Sequence, residues 1–381
     1  MPSYLFLLIL GALAAAGGAG GGGSTSAGGQ AMPDNDDTPT PPIPQEPDSE
    51  PVVEEDPVAE TPSVQQPAPS GDGMPDVPAS EYDIGWAGLT AEEQLIVELV
   101  NRARLDPLGE LGRQDEGFAA GVTTAPKEAL AVVQTLSDAS DAHSQDMDNR
   151  DFFAHTNPDG ESPADRAIEA GHGSRFVGEN IGWVGSTRTS FDEQARAEGH
   201  HDNLWDSDGH QQNFMSERWS EIGVGYDYGD YLGYGGSTFV TEMFGDRGET
   251  YLTGVVIEDE DGDEFYDIGE GQGGVQITAY DGENAYATAT WDAGGYTLAL
   301  PAGTYRVVFE GGDLDVPYET DVTIGNENVK LDVIDPGGAV AASLNASVLP
   351  DATMLPTVEP VSDGIEMAYI TDTLDEELML F

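Results

Sequence analysis

The sequence predicts an α+β layered domain followed by an all-β sandwich, and three observations carry that reading. Helix-opening signals fall between Thr90 and Glu193, short alternating strands dominate from Tyr251 to Val333, and the basic residues crowd into the first of these stretches. No Lys or Arg precedes Arg102 and none follows Lys330, while eleven of the 13 lie between Arg102 and Arg247. A packed domain with specific ion pairs is expected there. Elsewhere the acid excess is nearly pure, and 72 Asp and Glu bring the net charge to −59. Such a polyanion is repelled by phosphates, which excludes nucleic acid and anionic membrane surface as partners. Hydrophobic residues are only 38% of the chain, so part of it builds no core. Cys is absent, which excludes disulfides, thiolate zinc cages and a Cys nucleophile.

Residues 1–24 read as a signal-peptide-like segment. The apolar run Tyr4 to Ala16 is too short for a membrane span of about 20 residues and is followed at once by small residues, although no Lys or Arg precedes it. Export is expected. Residues 25–85 read as a disordered linker, since positions 32–82 hold 13 of the 24 prolines and 13 acids with no base.

The layered domain is placed at 86–247. Thr90 with Glu93 forms a capping box, and Leu95, Ile96, Leu99, Val100 and Ala103 share one face, so 90–105 is a helix. A second is expected from Glu128 to Arg150, a third opened by Ser162-Pro163 and closed by Gly171, a fourth opened by Ser190 with Glu193. Strands come late, at Ile222 to Tyr226 and Thr238 to Phe244.

The sandwich is placed at 251–334, on period-2 runs beginning near Val275, Tyr286, Tyr296, Tyr305, Val322 and Val329. Its opening loop sets Asp259, Asp261, Asp263, Phe265, Asp267 and Glu270 at positions 1, 3, 5, 7, 9 and 12 of a calcium loop. Glycine sits at 262 and 269 instead of the sixth position, so two flanking helices are not implied. Calcium is the expected cofactor; the competing reading is a carboxylate cluster that arises from composition alone. Residues 335–381 form an acidic tail without Lys or Arg, ending in Leu378-Met379-Leu380-Phe381. It resembles the uncleaved carboxy-terminal signals of bacterial type I secretion, the plain alternative being a frayed end.

The layered domain also carries a specific set of motifs. Asn101-Arg102-Ala103-Arg104, Ala142-His143-Ser144-Gln145-Asp146-Met147, Phe152-Phe153-Ala154-His155 and Gly160-Glu161-Ser162-Pro163 with Arg166 and Gly171 come first. Gly178-Glu179-Asn180-Ile181, Trp205, Ser207, Gly209-His210, Asn213 and Ile222-Gly223-Val224-Gly225 follow. In this order, over roughly 88–246, they resemble the CAP (SCP-like) superfamily in its compact, cysteine-poor bacterial branch. The resemblance implies a CAP-type α-β-α sandwich with an open cleft, usually secreted, whose cleft holds two His and two acidic residues. His155, Glu179 and His210 match. Asp208 stands in for the fourth by pattern, with Glu193 and Glu198 as competitors. The strands around Gly254-Val255-Val256, Gly295-Tyr296-Thr297-Leu298 and Leu300-Pro301-Ala302-Gly303 resemble prealbumin-like repeats of bacterial surface adhesins.

Two neutral imidazoles and a carboxylate from separate loops can converge on a divalent ion, zinc or a harder one, and leave positions open for water or a ligand. The same groups can move protons near neutral pH, or Glu179 can simply satisfy buried amides in a turn while the histidines bridge loops. His143 is expected in the core. His200 and His201 are adjacent and point apart on a helix. No G-x-S-x-G frame supports a serine hydrolase, and Gly178 to Gly182 is no phosphate loop. The expected function is a secreted protein whose cleft binds a divalent metal or small ligand, with a calcium-stabilised sandwich facing an unidentified extracellular small molecule or protein and no demonstrable catalysis. The alternatives are a metal-dependent, peptidase-like hydrolase with Glu179 as general base, and a purely structural surface module.

Overall fold

The computed structural model describes residues 75, 77–82, 84–114, 117–312, 314 and 316–334, with the strand backbone at 340–344 and 368–371. The signal-like run, nearly all of the linker and most of the acidic tail lie outside the described residues.

Helices form where caps and apolar spacing coincide. Helix α1 (Ala91–Leu105) opens on the Thr90–Glu93 capping box with both reciprocal bonds made. The short α2 (Pro107–Arg113), too brief for periodicity to reveal, starts from an Asp106 cap with Pro in its first turn. The helix expected from Glu128 begins only at Gln134. The buried apolar run before it instead forms β1 (Ala131–Val132), in parallel register with residues 221–222, and α3 (Gln134–Asn149) follows. A run of that kind suits helix and strand equally by pattern, and pairing decides it. Helix α4 (Pro163–Glu169) is capped by Ser162 with Asp165. Glu179 lies in a strand, β2 (Val177–Gly185), and not in a turn, because residues 177–184 pair along their whole length with residues 238–245. Asp192, not Ser190, caps α5 (Glu193–Trp205), and α6 (Asp208–Phe214) follows closely. Strands β3 (Glu221–Tyr231) and β4 (Tyr234–Gly245) form a hairpin through Leu232 and Gly233, at φ 53° and 85°.

The sheet order is β1-β3-β4-β2, with β13 (Ala368–Thr371) antiparallel on the β2 edge. Ile222, Val224, Val240 and Phe244 face Leu99, Leu204 and Phe214 of α1, α5 and α6. Met243 and Ala131 meet Leu136, Ala139 and Ala167 of α3 and α4. The result is a helix–sheet–helix sandwich. Helix α3 lies directly on Gly223 and Gly225, where a Cβ would come within 2.1 Å of Leu136 and 2.2 Å of Asp141 backbone atoms. Ser140 and Ser144 hydroxyls donate to the carbonyls of those glycines at 3.1 and 3.0 Å.

The β-rich region comprises β5 (Tyr251–Ile257), β6 (Gln276–Tyr280), β7 (Ala285–Ala289), β8 (Gly295–Ala299), β9 (Gly303–Glu310), β10 (Tyr318–Ile324), β11 (Val329–Ile334) and β12 (Val340–Leu344). Two four-stranded sheets, β10-β9-β6-β7 and β12-β11-β5-β8, close on Leu252, Ile277, Tyr296, Phe309 and Leu331. This region does not stand apart from the layered domain. Val255, Ile257, Tyr266 and Trp291 belong to the same apolar cluster as Leu95 and Ile96 of α1. Trp291 Nε1 donates to Gln94 Oε1 at 2.9 Å, and Lys330 sits buried between Asp332 and Glu98, 2.8 Å from the latter. Asn328 donates to the carbonyls of Ala129 and Ser220 at 2.9 and 2.7 Å. No helix among the described residues is long and apolar enough to cross a membrane.

Candidate functional site

Separate stretches of chain deliver the cleft residues. The Ser162 cap fixes α4, and α4 carries Arg166, only 7% exposed. Its Nη1 donates to the carbonyls of His155 and Glu161 at 2.9 and 3.0 Å, and its Nη2 to Glu179 Oε2 at 2.5 Å. The other oxygen, Glu179 Oε1, lies 2.8 Å from His155 Nδ1. Burial alone would raise the Glu179 carboxyl, but the Arg166 charge and the His155 hydrogen bond outweigh it and hold the group down at about 2. An ionised Glu179 accepts from His155 Nδ1–H, so the neutral imidazole carries its lone pair on Nε2. With both oxygens engaged and its basicity suppressed, Glu179 orients His155 and is a poor general base.

His210, on α6, is fully buried, and neither ring nitrogen has a hydrogen-bond partner among the described residues. Burial, and then the proximity of a second imidazole at His155 whose protonated form would repel its own, lowers it to about 4, so it is neutral at ordinary pH. Its backbone is held through Asn180, whose Nδ2 donates to His210 O at 3.3 Å and to Glu242 Oε2 at 2.9 Å. Asn213 Nδ2 donates to Asn180 Oδ1 at 3.0 Å and so ties α6 to β2. Burial raises Glu242 to about 7 despite the bond from Asn180.

The fourth cleft position is not filled as the pattern suggested. Asp208 is exposed in the first turn of α6, two residues from His210 and so turned to a different side of the helix. Glu193 is exposed in the first turn of α5, and Glu198 accepts from Gln194 at 3.0 Å and faces Asp267 of the acidic loop. His143, lowered to about 4 by burial against the pull of Glu179, points Nε2 to the Ala154 carbonyl at 3.1 Å and so steadies the loop that bears His155. His200 meets Thr238 Oγ1 at 2.8 Å and His201 meets Glu110 Oε1 at 3.1 Å, in the diverging directions that adjacency requires. Arg166, Asn180 and Glu242 were not singled out as site residues in the sequence. Arg166 was visible as part of a motif after the Ser-Pro cap, and Glu242 only as a lone acid in an apolar strand.

The acidic loop between β5 and β6 is the second candidate. Asp259 Oδ1 accepts from Gly262 N and Asp263 N at 2.9 and 3.2 Å, and its Oδ2 from Glu264 N at 3.1 Å. Asp263 Oδ1 accepts from Phe265 N at 2.8 Å, and Glu270 bridges the loop by accepting from Glu260 N and Asp267 N at 2.8 and 3.1 Å. Asp259, Asp261 and Asp263, and again Asp261, Asp267 and Glu270, offer ligand atoms within 4.8 Å of one another; among the described residues, His155, Glu179 and His210 form no such group. Burial and the neighbouring carboxylates push Asp263, Asp267 and Glu270 above the usual range. The Phe265 ring lies 4.8 Å from the Arg102 guanidinium.

Residues 97–244 match the family model described as CAP, the cysteine-rich secretory protein family. The uncharacterized protein YkwD of Bacillus subtilis (strain 168) is 29% identical over 141 residues, which cover 37% of this chain and 44% of that protein. An extracellular protein containing a SCP domain from Bacillus anthracis str. Ames is 23% identical with TM-score 0.27, over 40% of this chain and 39% of that one. An outer surface protein from Borrelia burgdorferi is 12% identical with TM-score 0.26, over 41% of this chain and 92% of that one. The chain spans less than half the length of YkwD and of the Bacillus anthracis protein.

Proposed function

We propose, for a chain whose residues 97–244 form a CAP domain of the bacterial SCP type, that the cleft binds a divalent metal ion through His155 and His210. The observation that carries the reading is the Arg166–Glu179–His155 relay. Histidines that hold metals almost always donate their second N–H to a carboxylate or carbonyl, which fixes the tautomer and raises ligand basicity. His210 adds a fully buried ring with two nitrogens unsatisfied among the described residues, the sort of polar group that a bound species satisfies. Zinc suits two neutral imidazoles, with water or an oxygen of a small ligand in the remaining positions. When bound, the ion would supply a Lewis-acidic anchor. What the chain itself contributes is orientation: Arg166 holds Glu179, and Glu179 holds His155.

The role favoured is ligand capture outside the cell and not catalysis, because the carboxylate best placed to act as a base is already committed to Arg166 and His155. Export rests on the apolar run Tyr4 to Ala16. Calcium in the acidic loop is the companion reading, supported by the two overlapping carboxylate groups that share Asp261.

Metal content of the purified full chain tests the cleft, measured beside His155→Ala, His210→Ala and Glu179→Gln. One zinc equivalent should be lost in both histidine variants, and Glu179→Gln should weaken binding roughly 10- to 100-fold. Zinc binding that survives both histidine substitutions removes the reading.

A further inference from the structure

A cavity of about 510 Å³ opens beside α6, walled by Val122, Thr123, Lys127, Met215, Arg218 and Trp219 among others. It is distinct from the cleft, although α6 serves both: Gln212 and Asn213 reach this cavity, whereas His210 belongs to the cleft set.

Its charge runs against that of the chain. Arg104 is fully buried and donates to the carbonyls of Glu128, Phe214, Ser216 and Trp219 at 2.9, 2.7, 2.8 and 3.2 Å. The segment from Phe214 to Trp219, which lines the cavity from Met215 onward, is thus folded around a guanidinium with no carboxylate within 4.0 Å among the described residues. Lys127, 7% exposed, donates to the carbonyls of Thr123 and Ala125 at 3.1 and 2.9 Å. Burial, then repulsion from Arg104, pulls its ammonium below the usual range. Arg218 stands exposed on the rim. Among the described residues none of these three bases has a carboxylate within 4.0 Å, whereas eight other bases do. Glu217 is the single acid of the wall.

In a protein of net charge −59, bases are scarce; here Lys127 and Arg218 line one concave space with Arg104 behind it, against Glu217 in the wall and Glu128 beside Arg104, and this local excess of bases makes a field that draws an anion. The remaining wall is mixed, with Thr123, Gln212, Asn213 and Ser216 on it beside an apolar side. Val122, Met215 and Trp219 line it, and the half-exposed Phe176 packs on Trp219 with ring centroids 5.0 Å apart. The volume is that of a small-molecule site. We infer that this cavity binds a small organic anion, its carboxylate or phosphate-ester head drawn by Lys127 and Arg218 and its ring-sized apolar body lying against Met215, Trp219 and Phe176.

Fluorescence titration of the full chain with anilinonaphthalene sulfonate, an anionic head on an aromatic body, tests this. The titration is repeated with phenyl phosphate, phenylpropionate and uncharged benzyl alcohol as competitors. Saturable binding should be displaced by the two anions and not by the alcohol, and the more potent anion identifies the head group. Arg218→Glu should weaken binding by about tenfold or more. Arg188→Glu, the same charge change at an exposed residue that is no part of the cavity, should leave it unchanged. Val122→Trp, which fills the space without altering a charge, should abolish binding while circular dichroism reports an intact fold. Absence of saturable binding overturns the inference. So does an equal effect of the two charge reversals, or undiminished binding in a folded Val122→Trp.

Discussion

The cleft and the acidic loop both gather titratable side chains, and they are stabilised in opposite ways. In the cleft the charge is balanced: one guanidinium and one carboxylate meet at 2.5 Å in a buried setting, and burial keeps His143 and His210 neutral. In the loop, like charges accumulate. Backbone amides donate to Asp259, Asp263 and Glu270, and among the described residues no base forms an ion pair with Asp263 or Glu270. The cleft is therefore ordered before any ligand arrives. The loop has its shape encoded in turns, but its like charges stand unbalanced.

The largest effect is expected when the buried pair is cut. Glu179→Gln leaves Arg166 charged and buried without its partner, a change that costs about 3–5 kcal/mol. Urea unfolding of the full chain measures it. The double replacement Arg166→Met with Glu179→Leu should lose much less, since both charges leave together. A loss below about 1 kcal/mol for Glu179→Gln would place the relay among weak surface pairs.

The next effect concerns the support beneath the cleft. Burial raises Glu242 from 4.5 in its ordinary state to about 7 in the folded protein. The folded state thus favours the protonated acid. The stability this contributes is complete below pH 4.5 and is lost as pH rises through 7, about 3 kcal/mol over that window at fixed background. Glu242→Gln mimics the protonated group, so its stability relative to the parent should rise with pH from 4.5 to 8. A difference that does not vary with pH would mean that Glu242 stays ionised in the fold.

On the loop side, calcium at 100 times its dissociation constant should stabilise the full chain by about 2.7 kcal/mol. Asp261→Ala should remove the effect, because Asp261 belongs to both carboxylate groups. Magnesium should not replace calcium, since it demands a tighter octahedral shell. Thermal unfolding with either ion decides it, and equal shifts with both would point to general screening.

What could be read from the sequence follows the range of the interactions. Thr90–Glu93 and Ser162 announced their helices because a capping box spans only three residues. The loop spacing and the alternation of the sandwich strands are local in the same sense. His155, Glu179 and His210 became candidates through motifs. The grip of Arg166 on Glu179 was not, since nothing in the spacing says which carboxylate a guanidinium meets. Asn180 with Glu242, and Gln94 with Trp291, are pairs 62 and 197 residues apart, and only folding brings them together. The same distance hid the shared core. Val255 and Trp291 of the β-rich region complete the cluster built by α1.

The smallest effect asks whether the two regions act on each other. Gln194 of α5 donates to Asp267 Oδ1 at 2.5 Å and accepts from Ile268 N at 3.0 Å. Beside it Tyr266, 1% exposed, enters the core shared with α1, and Arg102 covers Phe265. The loop is thus docked on the helices of the layered domain, and ordering it should also protect them. Gln194→Ala deletes both hydrogen bonds and should cost about 1 kcal/mol. Calcium affinity itself should hold, because Gln194 is neutral and the carboxylates remain. Amide exchange in α5 separates docking from simple coexistence. Calcium should slow it in the parent chain and slow it less in Gln194→Ala. Equal slowing in both would mean that coupling runs through Tyr266 and the shared apolar core. No slowing in either would mean that the loop and the cleft are electrostatic opposites that happen to share one chain.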